Sequence, residues 1–203
     1  MGYYTRILGT QDVNIHLEKL LDALLKAGLS AQLEIDKTEQ PNQWSFLHIE
    51  NENGEALAQL ERNPVIDGGL GKEELEELKE EIKEYKPTSA VEWLIKYFEK
   101  VNVIYAFQLL AAAFDDENFV IIDCIRSAIW KNTGGLIQAD GEGFSNEEGY
   151  LILWQFSDNA TGEWNCAVRD VFGQWQKFTM ELGDEKQRAE FKNGELPKKA
   201  IRL

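Results

Sequence analysis

The segment from Asp140 to Gly149 is the part of this sequence most suggestive of chemistry. It contains four carboxylates and three glycines, followed by an apolar strand pattern. Clustered oxygen atoms on a flexible loop are the ligands that Ca²⁺ and Mg²⁺ bind. The candidate binding residues here are Asp140, Glu142, Ser145, Asn146 and Glu147. Asp140 and Glu142 are the candidate ligands for a divalent cation, the one cofactor that the sequence leaves open.

The same segment is also typical of an acidic, solvated hairpin loop in which glycines adopt positive φ. It does not match an EF-hand loop, because Phe144 occupies a position that requires an oxygen ligand. Residues 143–147 begin like a nucleophile elbow but end in Glu147 rather than glycine. Four carboxylates also oppose a bound phosphate. The sequence therefore leaves two interpretations open, a cation site and a solvated loop.

Other catalytic groups are scattered along the chain. The two histidines, His16 and His48, have no acid or nucleophile at a motif spacing, and Cys124 and Cys166 form no C-x-x-C or zinc pattern. The 36 acidic residues offer so many carboxylate pairs that no single pair is informative. No motif identifies a family. Whether the chain is an enzyme stays open, with a non-catalytic function favoured.

Trp154 is the remaining candidate binding residue. It lies on a strand pattern, as do Tyr150, Trp164 and Trp175. Such aromatic side chains line apolar pockets and partner surfaces. They also fill the core between a sheet and its helices, and the sequence leaves both roles open.

The charge of the chain restricts its partners. The formal net charge is −15, and residues 115–158 contain nine Asp and Glu against Arg126 and Lys131. A negative surface repels phosphate backbones and anionic membranes, so nucleic acids and membranes are poor partners. No apolar leader or membrane-length apolar run is present, which predicts a cytoplasmic protein. The acidic balance indicates solubility, a basic protein partner or both.

These groups must be positioned by an α+β fold. Alternating or continuously apolar patterns predict strands over 3–8, 31–36, 44–50, 55–62, 103–110, 136–139, 150–156, 164–169 and 175–182. Helical patterns predict helices over 13–27, 72–85, 89–101, 117–133 and 184–192. We expect antiparallel sheet with helices on one face. An offset of 106 aligns Gly28–Asn53 with Gly134–Asn159, which favours two repeated β-α-β-β-β units joined by a helical pair. Common glycine stops after helices also explain this alignment.

The sequence predicts a β-α-β-β-β unit over 1–63, a linker and helical pair over 64–102, and a β-α-β-β-β-β unit with a C-terminal helix over 103–203, or one compact domain instead. The favoured function is a non-catalytic binding, regulatory or inhibitor-type protein with an acidic interaction surface, which binds a basic protein or a small ligand. The alternative is a carboxylate-based, metal-dependent hydrolase or isomerase that uses the 140–149 loop.

Overall fold

The computed structural model of the protein describes residues 2–203, which form eleven β-strands and five α-helices. In chain order they are β1 (Tyr3–Gly9), α1 (Leu17–Lys26), β2 (Gln32–Ile35), β3 (Phe46–Glu50), β4 (Ala56–Pro64), α2 (Leu70–Glu81), α3 (Thr88–Tyr97), β5 (Val103–Leu109), α4 (Asp116–Thr133), β6 (Leu136–Ala139), β7 (Gly143–Ser145), β8 (Leu151–Trp154), β9 (Glu163–Arg169), β10 (Trp175–Glu181), α5 (Glu185–Lys192) and β11 (Ile201–Arg202). The α+β class with mostly antiparallel strands is confirmed.

By their contacts the residues divide into two compact units. Unit 1 comprises Met1–Lys72 and Val101–Gly135, and unit 2 comprises Glu73–Lys100 and Leu136–Leu203. The domain boundaries that the sequence predicts at residues 63 and 102 stay a prediction.

Unit 1 contains a five-stranded antiparallel sheet in the order β1–β5–β4–β3–β2. Strand β5 pairs with both β1 and β4, with Leu109 opposite Tyr3 on one side and Ala58 on the other. Helices α1 and α4 contact each other, and α4 also contacts β1 and β4. Helix α1 buries Leu20 and Leu24 in the core of this unit, whereas Leu21 is exposed.

Glycines end both helices of unit 1. Gly28 and Gly134 have φ of 71° and 61°, which L-residues rarely adopt. The next residue, Gly135, lies so close to β1 that a Cβ atom would fall 1.9 Å from the Leu8 carbonyl oxygen. Only glycine therefore fits at position 135, where the chain passes this close to β1.

Unit 2 contains six strands in the order β6–β7–β8–β9–β10–β11. All neighbours pair antiparallel except β8 and β9, which pair in parallel through Leu151 and Cys166. Helix α3 contacts β8 and β9, and α5 contacts β10. The core of this unit includes Trp154, Phe178 and Phe191.

The proposed internal repeat is not confirmed by the strand pairing. Strands β3 and β4 pair antiparallel, whereas β8 and β9, their counterparts at the offset of 106, pair in parallel. Strand β7 also lies between β6 and β8, and it has no counterpart between β2 and β3. The two aligned segments therefore share a helix–glycine–strand junction but differ in how their following strands pair.

No helix within residues 2–203 is both long and apolar enough to cross a membrane.

Candidate functional site

The segment 140–149 is not a single loop. Residues 143–145 form β7, which separates two tight turns. Phe144 is fully buried, and β7 pairs antiparallel with β6 on one side and β8 on the other. A Cβ atom on Gly143 would lie 1.9 Å from the Leu153 carbonyl oxygen, so glycine permits the close approach of β7 to β8. Sequence analysis missed this strand because the surrounding glycines and acids have the composition of a loop.

The acidic side chains of this segment contact different partners. Asp140 accepts a hydrogen bond from Gln138 Nε2 at 3.3 Å, Glu147 accepts one from the Tyr97 hydroxyl at 2.6 Å, and Glu148 forms an ion pair with Lys177. Within residues 2–203 no group of three or more His, Cys, Asp or Glu side chains is arranged to hold a metal ion. The structure thus does not bring Asp140 and Glu142 together with a third such ligand.

The other predicted site residues have structural contacts. Asn146 is buried, and its Oδ1 accepts hydrogen bonds from the backbone N–H of Glu148 and Tyr150, both at 3.0 Å. Ser145 is half-buried in β7. Trp154 is buried in the core of unit 2 and donates its Nε1–H to the Phe156 carbonyl at 2.8 Å. These contacts stabilise the turn and the core.

Three five-residue turns share one geometry, and we name them turn A (Asn51–Glu55), turn B (Asn146–Tyr150) and turn C (Asp170–Gln174). In each, the N–H of the first residue donates to the carbonyl of the fifth, and the N–H of the fourth donates to the carbonyl of the first. The side-chain oxygen of the first residue accepts from the N–H groups of the third and fifth. The fourth residue is a glycine at positive φ, 78°, 85° and 78° in turns A, B and C.

The two residues between the Asx side chain and the glycine differ between the turns. Turn A has Glu52 and Asn53, and turn B has Glu147 and Glu148, as expected for solvated positions. Turn C has Val171 and Phe172, whose side chains are 93% and 85% exposed. Turn C therefore displays two apolar side chains at positions where the same backbone elsewhere displays polar ones.

Turn C connects β9 and β10 and has additional contacts. The Asp170 carboxylate also accepts a hydrogen bond from Gln176 Nε2 at 3.0 Å, and Arg169 donates to the Gly173 carbonyl from Nε at 3.1 Å and Nη2 at 2.7 Å. Hydrogen bonds from the backbone, first that of Gln174, hold the pKa of Asp170 below its usual value, so the carboxylate is ionised at neutral pH. These bonds hold the tip in one conformation.

An aromatic patch lies beside the strands that carry turn C. It consists of Trp93 and Tyr97 of α3 and Trp175 of β10. The ring centroids of Trp93 and Tyr97 lie 4.8 Å apart, because residues four apart share one face of a helix. Trp93 also contacts Trp175 edge-on, with 5.1 Å between their ring centroids. The Arg169 guanidinium lies over the Trp175 ring at 5.6 Å. The patch thus connects α3 to the base of turn C.

Tyr97 joins this patch to turn B. Its ring is buried, and its hydroxyl donates to Glu147. Burial, then the hydrogen bond and the charge of Glu147, raise the pKa of the Tyr97 hydroxyl above its usual value. The phenol is therefore a neutral donor at physiological pH.

The alternation of Trp175 on its strand predicts a role in packing, but the sequence gives no signal that α3 and β10 would meet.

One sequence signal could have identified turn C. Residues 170–174 read Asp-Val-Phe-Gly-Gln, which combines a turn-forming Asp and Gly with two apolar residues between them. Apolar side chains at the tip of a tight hairpin cannot reach the core beneath it. No protein-family model, curated protein or solved structure matches this chain.

Proposed function

We propose that this chain is a non-catalytic binding protein, of a regulatory or inhibitor type, which inserts Val171 and Phe172 into an apolar pocket of a basic protein partner. The observation that carries the proposal is the difference between three turns of equal geometry. Turns A and B form with polar residues at their second and third positions, so the fold of turn C does not require Val171 and Phe172. The requirements of folding therefore do not account for the exposure of these two apolar side chains.

The energetics of turn C favour insertion into a partner. Full burial of a Val or Phe side chain contributes about 1.5–3 kcal/mol relative to leaving it exposed. Hydrogen bonds from Arg169 and to Asp170 already restrain the backbone of the turn in the unbound chain. A preorganised segment loses less conformational entropy on binding, so more of the burial energy appears as affinity.

The charge of the chain supports a basic partner. Unit 2 contains twenty-one Asp and Glu against thirteen Lys and Arg, and the whole chain has a net charge of −15. Opposite charge on a partner steers the encounter and accelerates association at low salt. We therefore expect the apolar pocket of the partner to be flanked by Lys and Arg side chains.

The catalytic alternative receives no geometric support. A metal-dependent hydrolase or isomerase needs the carboxylates of the 140–149 segment around one ion, and those described above contact different partners.

A turn exchange tests the proposal. The double substitution Val171→Glu and Phe172→Asn gives turn C the central residues of turn A and should preserve the fold, as checked by circular dichroism and Tm. The matched control is Leu25→Asn, which removes an exposed leucine of unit 1. Affinity capture from host lysate should retain a basic protein on the wild-type and Leu25→Asn baits, and retention should fall as salt rises.

The captured protein is then purified and titrated. Loss of a central hot spot weakens binding by about 2 kcal/mol or more, so the double variant should bind about thirtyfold less tightly than the wild type or Leu25→Asn. Equal affinity of all three chains would contradict the proposal. Light scattering provides a second check: a wild-type dimer that the double variant abolishes would identify a second copy of this chain as the occupant and exclude the basic partner.

A further inference from the structure

A cavity of about 320 Å³ in unit 2 is lined by positively charged side chains from three separate segments. Lys86 precedes α3, Arg169 ends β9 and Lys192 ends α5. The hydroxyl groups of Thr88 and Ser89 also line it, and no carboxylate does. In a unit with more acidic than basic residues, this concentration of cations creates a local positive potential.

The cations of this cavity are largely available to a ligand. Lys86 Nζ donates to Thr88 Oγ1 at 3.1 Å. Arg169 interacts electrostatically with the neighbouring Asp170 carboxylate, which does not line the cavity. Arg169 uses Nε and Nη2 for the Gly173 carbonyl, which leaves the N–H groups of Nη1. Lys192 Nζ lies 3.6 Å from an oxygen of the exposed Asp158, and an exposed pair of this kind contributes little.

These donors match the chemistry of a phosphate group. A phosphate has several acceptor oxygens; a guanidinium binds them with directed N–H groups, and an ammonium binds them as a point charge. The hydroxyls of Thr88 and Ser89 add neutral donors. Their backbone N–H groups, in the first turn of α3, have no carbonyl partner within the helix, and Pro87 provides no side-chain cap. The three side-chain cations, however, set the charge of the cavity.

We propose that this cavity binds a phosphate group, either as free phosphate or as the monoester of a small metabolite. Its volume is at the lower end of the range for small-molecule sites, which suits a single phosphate with a short organic group. The cavity shares Arg169 with the base of turn C, but neither Val171 nor Phe172 at the tip of that turn lines it.

Calorimetric titration of the full chain with sodium phosphate and with glycerol 3-phosphate, at constant ionic strength, tests this proposal. The decisive variant is Lys86→Gln, and the matched control is Lys96→Gln, which removes the same charge from a lysine of α3 outside the cavity. Loss of one charge-assisted hydrogen bond should weaken binding about tenfold or more in Lys86→Gln and leave Lys96→Gln unchanged. Lys192→Gln should weaken binding in the same direction.

The two probes identify the source of the phosphate. Tighter binding of glycerol 3-phosphate indicates a monoester, and equal binding of both indicates free phosphate. No heat of binding at about 10 mM of either probe, where a millimolar site would be nine-tenths occupied, would overturn the proposal. Equal affinity of Lys86→Gln and Lys96→Gln would overturn it as well. Binding should persist in the Val171→Glu, Phe172→Asn variant, which separates this result from that of the partner experiment.

Discussion

Turn B and turn C have the same backbone hydrogen bonds, but turn B carries charged side chains at its centre and turn C carries apolar ones. Both use an Asx side chain that accepts two backbone hydrogen bonds and a glycine at positive φ. Turn B places two glutamates at its centre, and both of them contact neighbouring side chains. Turn C places Val171 and Phe172 in solvent. The acidic side chains at the centre of turn B thus contact the rest of the fold, whereas those at the centre of turn C are apolar and exposed to solvent.

The largest effect should distinguish two phenylalanines close to these turns. Phe144, in the strand before turn B, is fully buried, and Phe144→Ala should lower the free energy of unfolding by about 3–5 kcal/mol because it leaves a cavity. Phe172→Ala in turn C should change it by less than about 0.5 kcal/mol, as exposed sites do. Urea denaturation measures both. A comparable loss at Phe172 would mean that its side chain packs within the chain and does not serve a partner.

A smaller effect should separate the glycines of turns A and C. Gly54→Ala meets open space and should cost about 1–2 kcal/mol for its left-handed backbone alone. Gly173→Ala has the same backbone cost, and its Cβ would also lie 2.6 Å from Arg169 Nη2. We therefore expect the lower Tm for Gly173→Ala. Equal Tm values would show that Arg169 moves away freely and does not hold turn C in place.

Tyr97→Phe should remove the hydrogen bond that joins turn B to the aromatic patch, at a cost of about 1 kcal/mol. The folded chain raises the pKa of Tyr97, so its stabilising contribution is complete below the unfolded value of about 10 and is lost as pH rises above it. Stability measured above pH 10 should fall more steeply in the wild type than in Tyr97→Phe. Tyr105, whose pKa burial also raises, contributes a similar slope to both chains.

The smallest effect should appear as pH falls. Asp170 titrates and Asn146 does not, so only turn C should lose hydrogen bonds in acid. Because the folded state lowers the pKa of Asp170, these bonds are complete above the unfolded value of 3.8 and weaken as pH falls through the folded value. Amide hydrogen exchange of Phe172 and Gln174 should accelerate relative to that of Glu148 and Tyr150. Asp170→Asn should abolish this difference; a persisting difference would assign it to another group.

A further check concerns the sequence-predicted cation site. Ca²⁺, Mg²⁺ or Mn²⁺ stabilises a folded state that binds it, so Tm would rise with concentration. Given the separate contacts of Asp140, Glu147 and Glu148, we expect no rise with any of the three ions. A rise that disappears in both Asp140→Asn and Glu142→Gln would restore the metal-dependent alternative and make turn B the functional turn.

Local patterns in the sequence predicted much of the fold. The strand pattern over 31–36 predicted β2 and the helical period over 13–27 predicted α1, because side-chain period follows directly from backbone geometry. The turn at Asn51–Gly54 was equally predictable from its Asn and Gly. Strand β7 was not, since three residues within glycines and acids have no period that a pattern can show.

The candidate site chosen from the sequence stays a prediction. Asp140, Glu142, Ser145, Asn146, Glu147 and Trp154 were selected by residue type, which records donor atoms but not their contacts. The structure directs Asn146 to its own turn and Trp154 to the core. Turn C was overlooked because Val171 and Phe172 belong to residue types that are usually buried.

The sequence by itself determined the α+β class, the positions of most helices and strands, and the net charge of −15, because these follow from local backbone preferences and composition. Tertiary structure alone decided the insertion of β5 between β1 and β4, the parallel pairing of β8 and β9, and the convergence of Lys86, Arg169 and Lys192 on one cavity. These features join residues far apart in the chain, and their free energy comes from packing that no local pattern encodes.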